Sequence, residues 1–424
     1  MKRLRTSQIV LGLLCLMYFI TYLDRVNVST AAAGFAKEFK LNKTEIGLVF
    51  SAFAYPYLVF QIIGGWISDR FGARRTLIAC GLIWASATVL TGLAGGLASL
   101  LLARVLLGLG EGATFPAATT AMSRWVAMGQ RGYAQGVTHA AARIGNAVAP
   151  AMIVFLMAAW GWRASFYVCA ALSFAWVALW ALTFTEHPQN HPRITAAELA
   201  TLPAPATRSL HVPWKALFKR MAPVTMVYFC YGWTLWLFLS WIPQYFLHSH
   251  DLDVKKSALF SSGVFFAGVL GDTLGGMATD QLLKRSGSLK RARSSMVSMC
   301  MLMTLLSLIP LMFTHDLGIS LCCLSAGFFF SEMTIGPMWA IPMDIAPDYS
   351  GTASGMMNSG SALAAIISPV VGGYLIDKTG NWQLPFLGSM LLMVAGMVLA
   401  FRMRPDSRFE AMTQARCASK RSRT

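Results

Sequence analysis

The sequence predicts an all-α membrane protein: twelve transmembrane helices in two pseudo-symmetric six-helix bundles, with both termini in the cytoplasm. Three observations predict it: scarce charge, recurring long apolar runs, and an echo between the two halves. Hydrophobic residues make up 56% of the chain and charged residues 12%, against roughly a quarter charged in a typical soluble domain. Apolar stretches recur near residues 8–30, 44–67, 77–94, 98–121, 134–159, 164–185, 221–247, 257–279, 294–314, 317–345, 353–376 and 383–402. Each is long enough, at about 1.5 Å per residue, to cross a hydrocarbon layer of about 30 Å.

The net charge of +17 raises the question of a nucleic-acid partner, and its placement answers it. With a cytoplasmic N-terminus, 25 of the 35 Lys and Arg residues fall on the inner side, 7 in outer loops and 3 within spans. That asymmetry is the positive-inside rule, so the partner implied is the lipid bilayer and not a nucleic acid. The opening MKRLRTSQIVLGLLCLMYFI looks like a signal peptide, but the polar TYLDRVN follows where a small-residue cleavage site belongs. We therefore expect an uncleaved first helix. The eight cysteines show no CxxC spacing, which indicates neither a disulfide framework nor a metal site.

The longest inner connection divides six spans from six. The expected organisation is a first bundle over residues 1–185, a cytoplasmic linker over 186–220, a second bundle over 221–404 and a basic tail over 405–424. In the linker, Thr195 and Glu198 are spaced like a capping box. The following PWKALFKR places Trp214, Leu217 and Phe218 for a surface-lying segment with its basic residues in water. The halves echo each other. Gly64, Gly65, Asp69 and Arg74 superpose on Gly275, Gly276, Asp280 and Arg285, and Glu111-x-x-x-x-Pro116 on Glu332-x-x-x-x-Pro337. Repeated six-span halves are a signature of alternating-access carriers, whose cargo site lies near the midplane between them.

GGWISDRFGARR (Gly64–Arg75) resembles the loop signature of the major facilitator superfamily. YLDRVNVSTAA, LLARVLLGLGEGATFPA and the Trp339…Asn358 pattern resemble its anion:cation symporter family. That family includes carriers of galactonate, hexuronates, tartrate and aromatic acids, besides animal sialic acid and vesicular glutamate carriers. The resemblance covers essentially the whole chain. It implies a proton-coupled importer of an organic anion such as a sugar acid, hexuronate or other carboxylate, acting by alternating access as a monomer. It also implies the proton as coupling ion and no other cofactor, and the short loops suggest a multi-pass place in a bacterial inner membrane.

Charges within spans mark the candidate site, because each costs about 2.5–3.5 kcal/mol at mid-helix on insertion scales. They are Asp24, Arg25, Arg104, Glu111, Arg143, Asp272 and Glu332. Asp24 and Arg25 are adjacent and leave a helix about 100° apart, so they do not face each other and each needs its own neighbour. Arg25 is expected to hold the cargo, since a guanidinium matches a carboxylate with two parallel hydrogen bonds. Asp24 and Glu111 are expected to carry protons, and the resemblance implies the same roles. A purely structural buried network is the competing reading.

Arg143 departs from the uncharged residue pictured at this place in related sugar-acid carriers. It is either a second anion ligand, favouring a dicarboxylate, or a counter-charge for Glu111 or Asp24. Glu332, the third acid assigned to proton coupling, either titrates or pairs with Arg143. Tyr22 and Asn27 are polar-tipped at plausible depth, and the resemblance adds Tyr57, Trp339 and Asn358 to the cargo site. Arg104 is expected to be structural, either snorkelling to the outer interface or meeting a carbonyl, and His139 to be structural. Asp69, Arg70, Arg74 and Arg75, with Asp280 opposite, are expected to latch the halves at the inner face.

Two rival functions share part of this pattern. A proton antiporter exporting drugs has the same architecture, but several arginines at membrane depth argue against a cationic cargo. A membrane enzyme or sensor needs a nucleophile–base pair, a phosphate loop, a metal cluster or a large soluble domain, and the sequence offers none of these.

Overall fold

A computed structural model describes residues 5–204, 212–250 and 252–409. Most of the basic tail and residues 205–211 of the linker lie outside that set. Among the described residues, sixteen α-helices follow in chain order. The first half contains α1 (Thr6–Phe39), α2 (Lys43–Ser51), α3 (Ala54–Phe71), α4 (Ala73–Gly92), α5 (Leu97–Gly112), α6 (Thr114–Trp125), α7 (Arg131–Trp160) and α8 (Trp162–Thr183). The linker carries α9 (Ala196–Leu199). The second half contains α10 (Trp214–Ser249), α11 (Val254–Ser286), α12 (Met296–Leu308), α13 (Leu317–Glu332), α14 (Ile335–Ile345), α15 (Ser350–Thr379) and α16 (Leu384–Ala400).

These helices group into the twelve expected spans. Eleven of them are long and apolar enough to cross a membrane, and the twelfth, α16, has 17 residues, about 26 Å of helix. Leu182, Phe313 and Val370 are among many large apolar side chains left exposed, and apolar surface on that scale suits a hydrocarbon surround. The chain is a multi-pass membrane protein.

Three spans are broken, and proline explains each break. Pro56, Pro116 and Pro337 each lie within the first three residues of the second piece, in α3, α6 and α14. A proline has no N–H for the carbonyl four residues earlier and its ring crowds that carbonyl. The Glu-x-x-x-x-Pro echo therefore acquires a structural meaning: it places Glu111 and Glu332 at the ends of α5 and α13, next to the interruptions.

The halves meet along two helix pairs, α3 with α15 and α7 with α11. Glycines make the approach possible. A Cβ on Gly355 would lie 2.7 Å from the Gln61 carbonyl carbon and 3.1 Å from Ile62 Cα, and one on Gly276 3.1 Å from Tyr133 Cα. Inside the first half, an aromatic column of Trp84, Trp176, Trp180 and Phe184 packs α4 on α8, with successive ring centroids 5.4, 5.6 and 4.0 Å apart.

The linker differs from expectation in two ways. Trp214 to Arg220 form the first turns of α10 instead of a separate surface segment. Nothing between Pro213 and the span breaks the helix, and Leu217 is fully buried while Trp214 and Phe218 stay exposed. Thr195 does accept from the Glu198 backbone N–H at 3.2 Å. The Glu198 carboxylate, however, turns to the start of α1, taking the Ser7 N–H at 2.7 Å, the Ser7 hydroxyl at 2.7 Å and the Thr6 N–H at 3.2 Å. It caps another helix, whose orphan donors attract a carboxylate.

Candidate functional site

Helix phase sorts the charges of α1 onto two faces. Residues three apart share a side of a helix, so Tyr22 goes with Arg25, and Asp24 with Asn27. Tyr22 and Arg25 point toward the seam between the halves. Asp24 and Asn27 point into the interior of the first half, against α8.

On the seam face, Arg25 Nε–H donates to Glu111 Oε2 at 2.6 Å. The guanidinium lies 4.7–5.3 Å from the ring centres of Tyr57, Tyr22, Phe115 and Phe53, an aromatic box suited to a cation. The arginine side chain remains 13% exposed and Glu111 is fully buried. Arg25 Nη2 and Glu111 Oε1 make no hydrogen bond among the described residues, so this pair is held by one contact and has capacity to spare.

Arg143 reaches from α7 across the seam. Its Nε–H and Nη2–H donate to Glu332 Oε2 at 3.1 and 2.7 Å, and Asp272 Oδ2 is 3.8 Å away. The Tyr231 hydroxyl donates to the other Glu332 oxygen at 2.9 Å. Of the alternatives open for Arg143, the structure puts it against Glu332, not against Glu111 or Asp24. Around it, Trp339 of the second half meets Phe115 and His139 of the first, with centroids 6.1 and 5.1 Å away, and its indole N–H donates to the Tyr228 hydroxyl at 2.7 Å. Asn358 Nδ2 reaches the Tyr57 hydroxyl at 3.5 Å, again across the seam. Tyr22, Arg25, Tyr57, Arg143, Trp339 and Asn358 are thus brought together with Glu111 and Glu332.

Asn27 is not. It accepts from the Ser165 hydroxyl at 2.7 Å and is wholly buried, so its place in the cargo site gives way to a packing role between α1 and α8. Asp24 likewise faces Ser173, whose hydroxyl donates at 3.2 Å, and does not line the seam. Arg104 Nε–H donates to the Val49 carbonyl at 3.2 Å. His139 is wedged beside Tyr18, Phe115 and Trp339, with Nδ1 2.9 Å from the Gln135 carbonyl.

The end of the molecule that carries the linker is closed by carboxylates on backbone donors. Asp69 takes the N–H groups of Gly351 and Thr352 at 2.8 and 2.6 Å. Asp280 takes those of Gly132 and Tyr133 at 3.0 and 2.7 Å. Both cross the seam and both sit at helix starts, where unpaired N–H groups favour an anion. The arginines expected beside them do not cross. Arg70 lies over Trp66 and Phe71 of its own helix, Arg74 donates to the Ala181 carbonyl of the same half at 2.6 Å, and Arg75 is exposed. A short side chain reaching a backbone N–H needs a closer approach than two long cations against a partner helix, and the glycine seam supplies it.

Sequence reasoning missed a buried network at this end. Arg293, fully buried, donates to Asp344 at 3.0 Å and Asp280 at 3.2 Å. Arg131 donates to the other Asp344 oxygen at 2.9 Å. Counted as positive-inside loop residues, these arginines gave no sign of burial. A lone acid, Asp344, in the apolar run IGPMWAIPMDI was the available signal.

Comparison with known proteins decides the kinship. The Major Facilitator Superfamily matches residues 14–369. The chain belongs to the major facilitator superfamily. A protein described as a probable sulfoacetate transporter, from Cupriavidus necator, is 44% identical over 409 residues, covering 95% of each chain. A hexuronate transporter of Bacillus subtilis is 28% identical, covering 93% of this chain and 94% of its own. A probable galactarate/D-glucarate transporter of Escherichia coli is 29% identical, covering 92% and 94%. Among solved structures, the superfamily member FucP in its outward conformation has a TM-score of 0.73 at 14% identity, covering 94% and 99%. The proton:xylose symporter XylE has 0.75 at 14%, covering 93% and 94%. These likenesses show the superfamily fold, and the kinship is with transporters rather than enzymes.

Proposed function

We propose that this chain imports a small organic anion together with one or more protons, by rocking of two six-helix bundles about a central site. The organisation proposed is the one expected from the sequence: bundles over 1–185 and 221–404, a cytoplasmic linker and tail, and a bacterial inner membrane. The observation that carries the reading is Arg25, a permanent cation at membrane depth, boxed by aromatic rings and held by one oxygen of Glu111. An anionic cargo can replace that oxygen and gain the bidentate geometry Glu111 does not use. The named relatives are described as a hexuronate transporter and as probable sulfoacetate and galactarate/D-glucarate transporters, and that supports an acidic cargo.

Coupling follows from competition. Protonated Glu111 releases the guanidinium to the cargo, and its deprotonation on the inner side expels the cargo. A tenfold pH gradient supplies about 1.4 kcal/mol per proton, and 100 mV about 2.3 kcal/mol per net charge moved. Asp24, one helix face away, acts in this scheme as a second proton carrier reached through the first half and not through the cargo. The closed linker end supports assigning this conformation to the outward-directed side of the cycle.

Proteoliposomes test the proposal. An imposed inward proton gradient should drive accumulation of labelled sulfoacetate or glucarate, and a protonophore should abolish it. Arg25→Lys, which keeps the charge and loses the fork, should weaken binding at least tenfold. Unchanged binding removes Arg25 from the site, and efflux of a cationic drug in place of acid uptake favours an exporter.

A further inference from the structure

Arg143 has no counterpart in the role just given to Arg25, yet it is built the same way. Each arginine sits at the seam on one oxygen of a buried glutamate, Arg25 on Glu111 and Arg143 on Glu332. Each keeps a terminal nitrogen, Nη2 of Arg25 and Nη1 of Arg143, buried and without a hydrogen bond among the described residues. Each glutamate lies in the last turn of the first piece of a proline-broken helix. Tyr22 stands between them, its ring centre 5.0 Å from the Arg25 guanidinium carbon and 5.9 Å from that of Arg143. The two carbons are therefore no more than about 11 Å apart, the sum of those distances.

We propose that Arg25 and Arg143 form a two-point anion site that selects a short dianion, one acidic group on each guanidinium. This rests on the organic-anion reading above and narrows its substrate class. The two glutamates are the site's internal stand-ins: carboxylates already occupying the places a diacid takes. A forked guanidinium–carboxylate contact spans about 4 Å between carbons. Two acid groups about 2.5 Å apart, joined through one carbon, therefore bridge arginines separated by up to about 10.5 Å, short of that limit, and pass beside the Tyr22 ring. The acids of malonate, or the carboxylate and sulfonate of sulfoacetate, have that spacing.

Surrounding groups fit a second anion locus. Tyr231 donates to Glu332 and lies 3.5 Å from Arg143 Nη2, so its hydroxyl is free to turn to an incoming anion when Glu332 withdraws. Asp272, with Oδ2 3.8 Å from Arg143, leaves Arg143 facing two acids. A vacated Glu332 therefore does not strand the cation. Because Arg143 belongs to the first half and Glu332, Tyr231 and Asp272 to the second, a ligand on Arg143 engages both bodies, whereas one on Arg25 alone engages a single body.

The test is a paired-probe binding measurement on purified full-length protein, by thermal shift and by inhibition of uptake in proteoliposomes. Malonate and sulfoacetate are compared with acetate. The wild type should prefer the two-acid probes at least tenfold. Arg143→Gln should erase that preference by weakening malonate and sulfoacetate to the acetate level while acetate is unmoved. Arg143→Lys, kept as the variant closest to native, should lose part of the preference. Arg25→Gln should weaken all three. Equal affinity of one- and two-acid probes in the wild type overturns the two-point site, as does an equal loss of both in Arg143→Gln or an undiminished preference in Arg143→Lys. If no acid of either kind binds or is carried, the organic-anion reading itself fails.

Discussion

Asp69 and Thr352 are joined by two hydrogen bonds across the seam: the Thr352 backbone N–H and its hydroxyl both donate to Asp69 Oδ2, each at 2.6 Å. Hydrogen bonds to a charged acceptor contribute about 1.5–3 kcal/mol each, and in the alternating-access cycle proposed above these would form only while the linker end is shut. Asp69→Ala should shift the population toward the state open there. A cysteine placed at buried Gln61, in a background without native cysteines, should be alkylated several times faster from the linker side. An unchanged rate would show that the seam closes without Asp69.

Gly355 offers another way to hold the same end apart. Its absent side chain faces the Gln61 backbone, which cannot swing aside as a side-chain tip can. Gly355→Val should reach the membrane in normal amounts, lose transport, and raise alkylation at position 61 as Asp69→Ala does.

Asp344 is the shared acceptor of Arg131 and Arg293. Asp344→Asn leaves two buried cations short of counter-charge, and breaking such a pair costs about 3–5 kcal/mol. We expect a large fall in melting temperature in detergent. Replacing exposed Arg75 by Gln should leave the melting temperature within a degree or two of native.

Glu198 should give stability a pH dependence. Its partial burial pushes the carboxyl up, but the Ser7 N–H and hydroxyl and the Thr6 N–H outweigh this and hold it below the ordinary glutamate range. A depressed carboxyl contributes stability that is present above its unfolded value, near 4.3, and is lost as pH falls through the folded value. Glu198→Ala should thus cost about 1 kcal/mol at neutral pH, as loss of a helix cap does. The difference from wild type should shrink below about pH 4. A melting difference independent of pH would assign the effect to packing.

Glu111→Gln should separate binding from coupling. With a neutral amide beside it, Arg25 is available to cargo at any pH. Exchange of labelled acid should persist or quicken, while accumulation driven by a pH gradient disappears. Asp24→Asn should also lose gradient-driven accumulation. Because it faces Ser173 and not Arg25, it should do so with cargo affinity unchanged.

The twelve spans were legible because hydrocarbon tolerates little charge, so apolar run length alone marks them. The costly residues inside those runs pointed to Arg25, Glu111, Arg143 and Glu332 for the same reason. Depth, however, is not direction. Asn27 lies at the right depth and the wrong azimuth, about 200° around α1 from Arg25, and its spacing of three from Asp24 held that information. The linker-end arginines were hidden by the charge bias that identifies topology, since an exposed Arg75 and a buried Arg293 look alike in a basic loop. Tyr228 and Tyr231 gave no signal among so many aromatics. Only folding shows that their hydroxyls end beside Trp339 and Glu332.

The two central ion pairs have different owners. Arg25 and Glu111 belong to one body and travel as luggage through any rocking motion, their spacing fixed by α1 and α5. Arg143 and Glu332 are a handshake between bodies, one that the rocking proposed above would strain and that an anion on Arg143 would displace. On the two proposals above, a vibrational or distance label on the Arg143–Glu332 contact should report the relative motion of the bodies together with cargo on Arg143, while the same label on Arg25–Glu111 registers cargo alone.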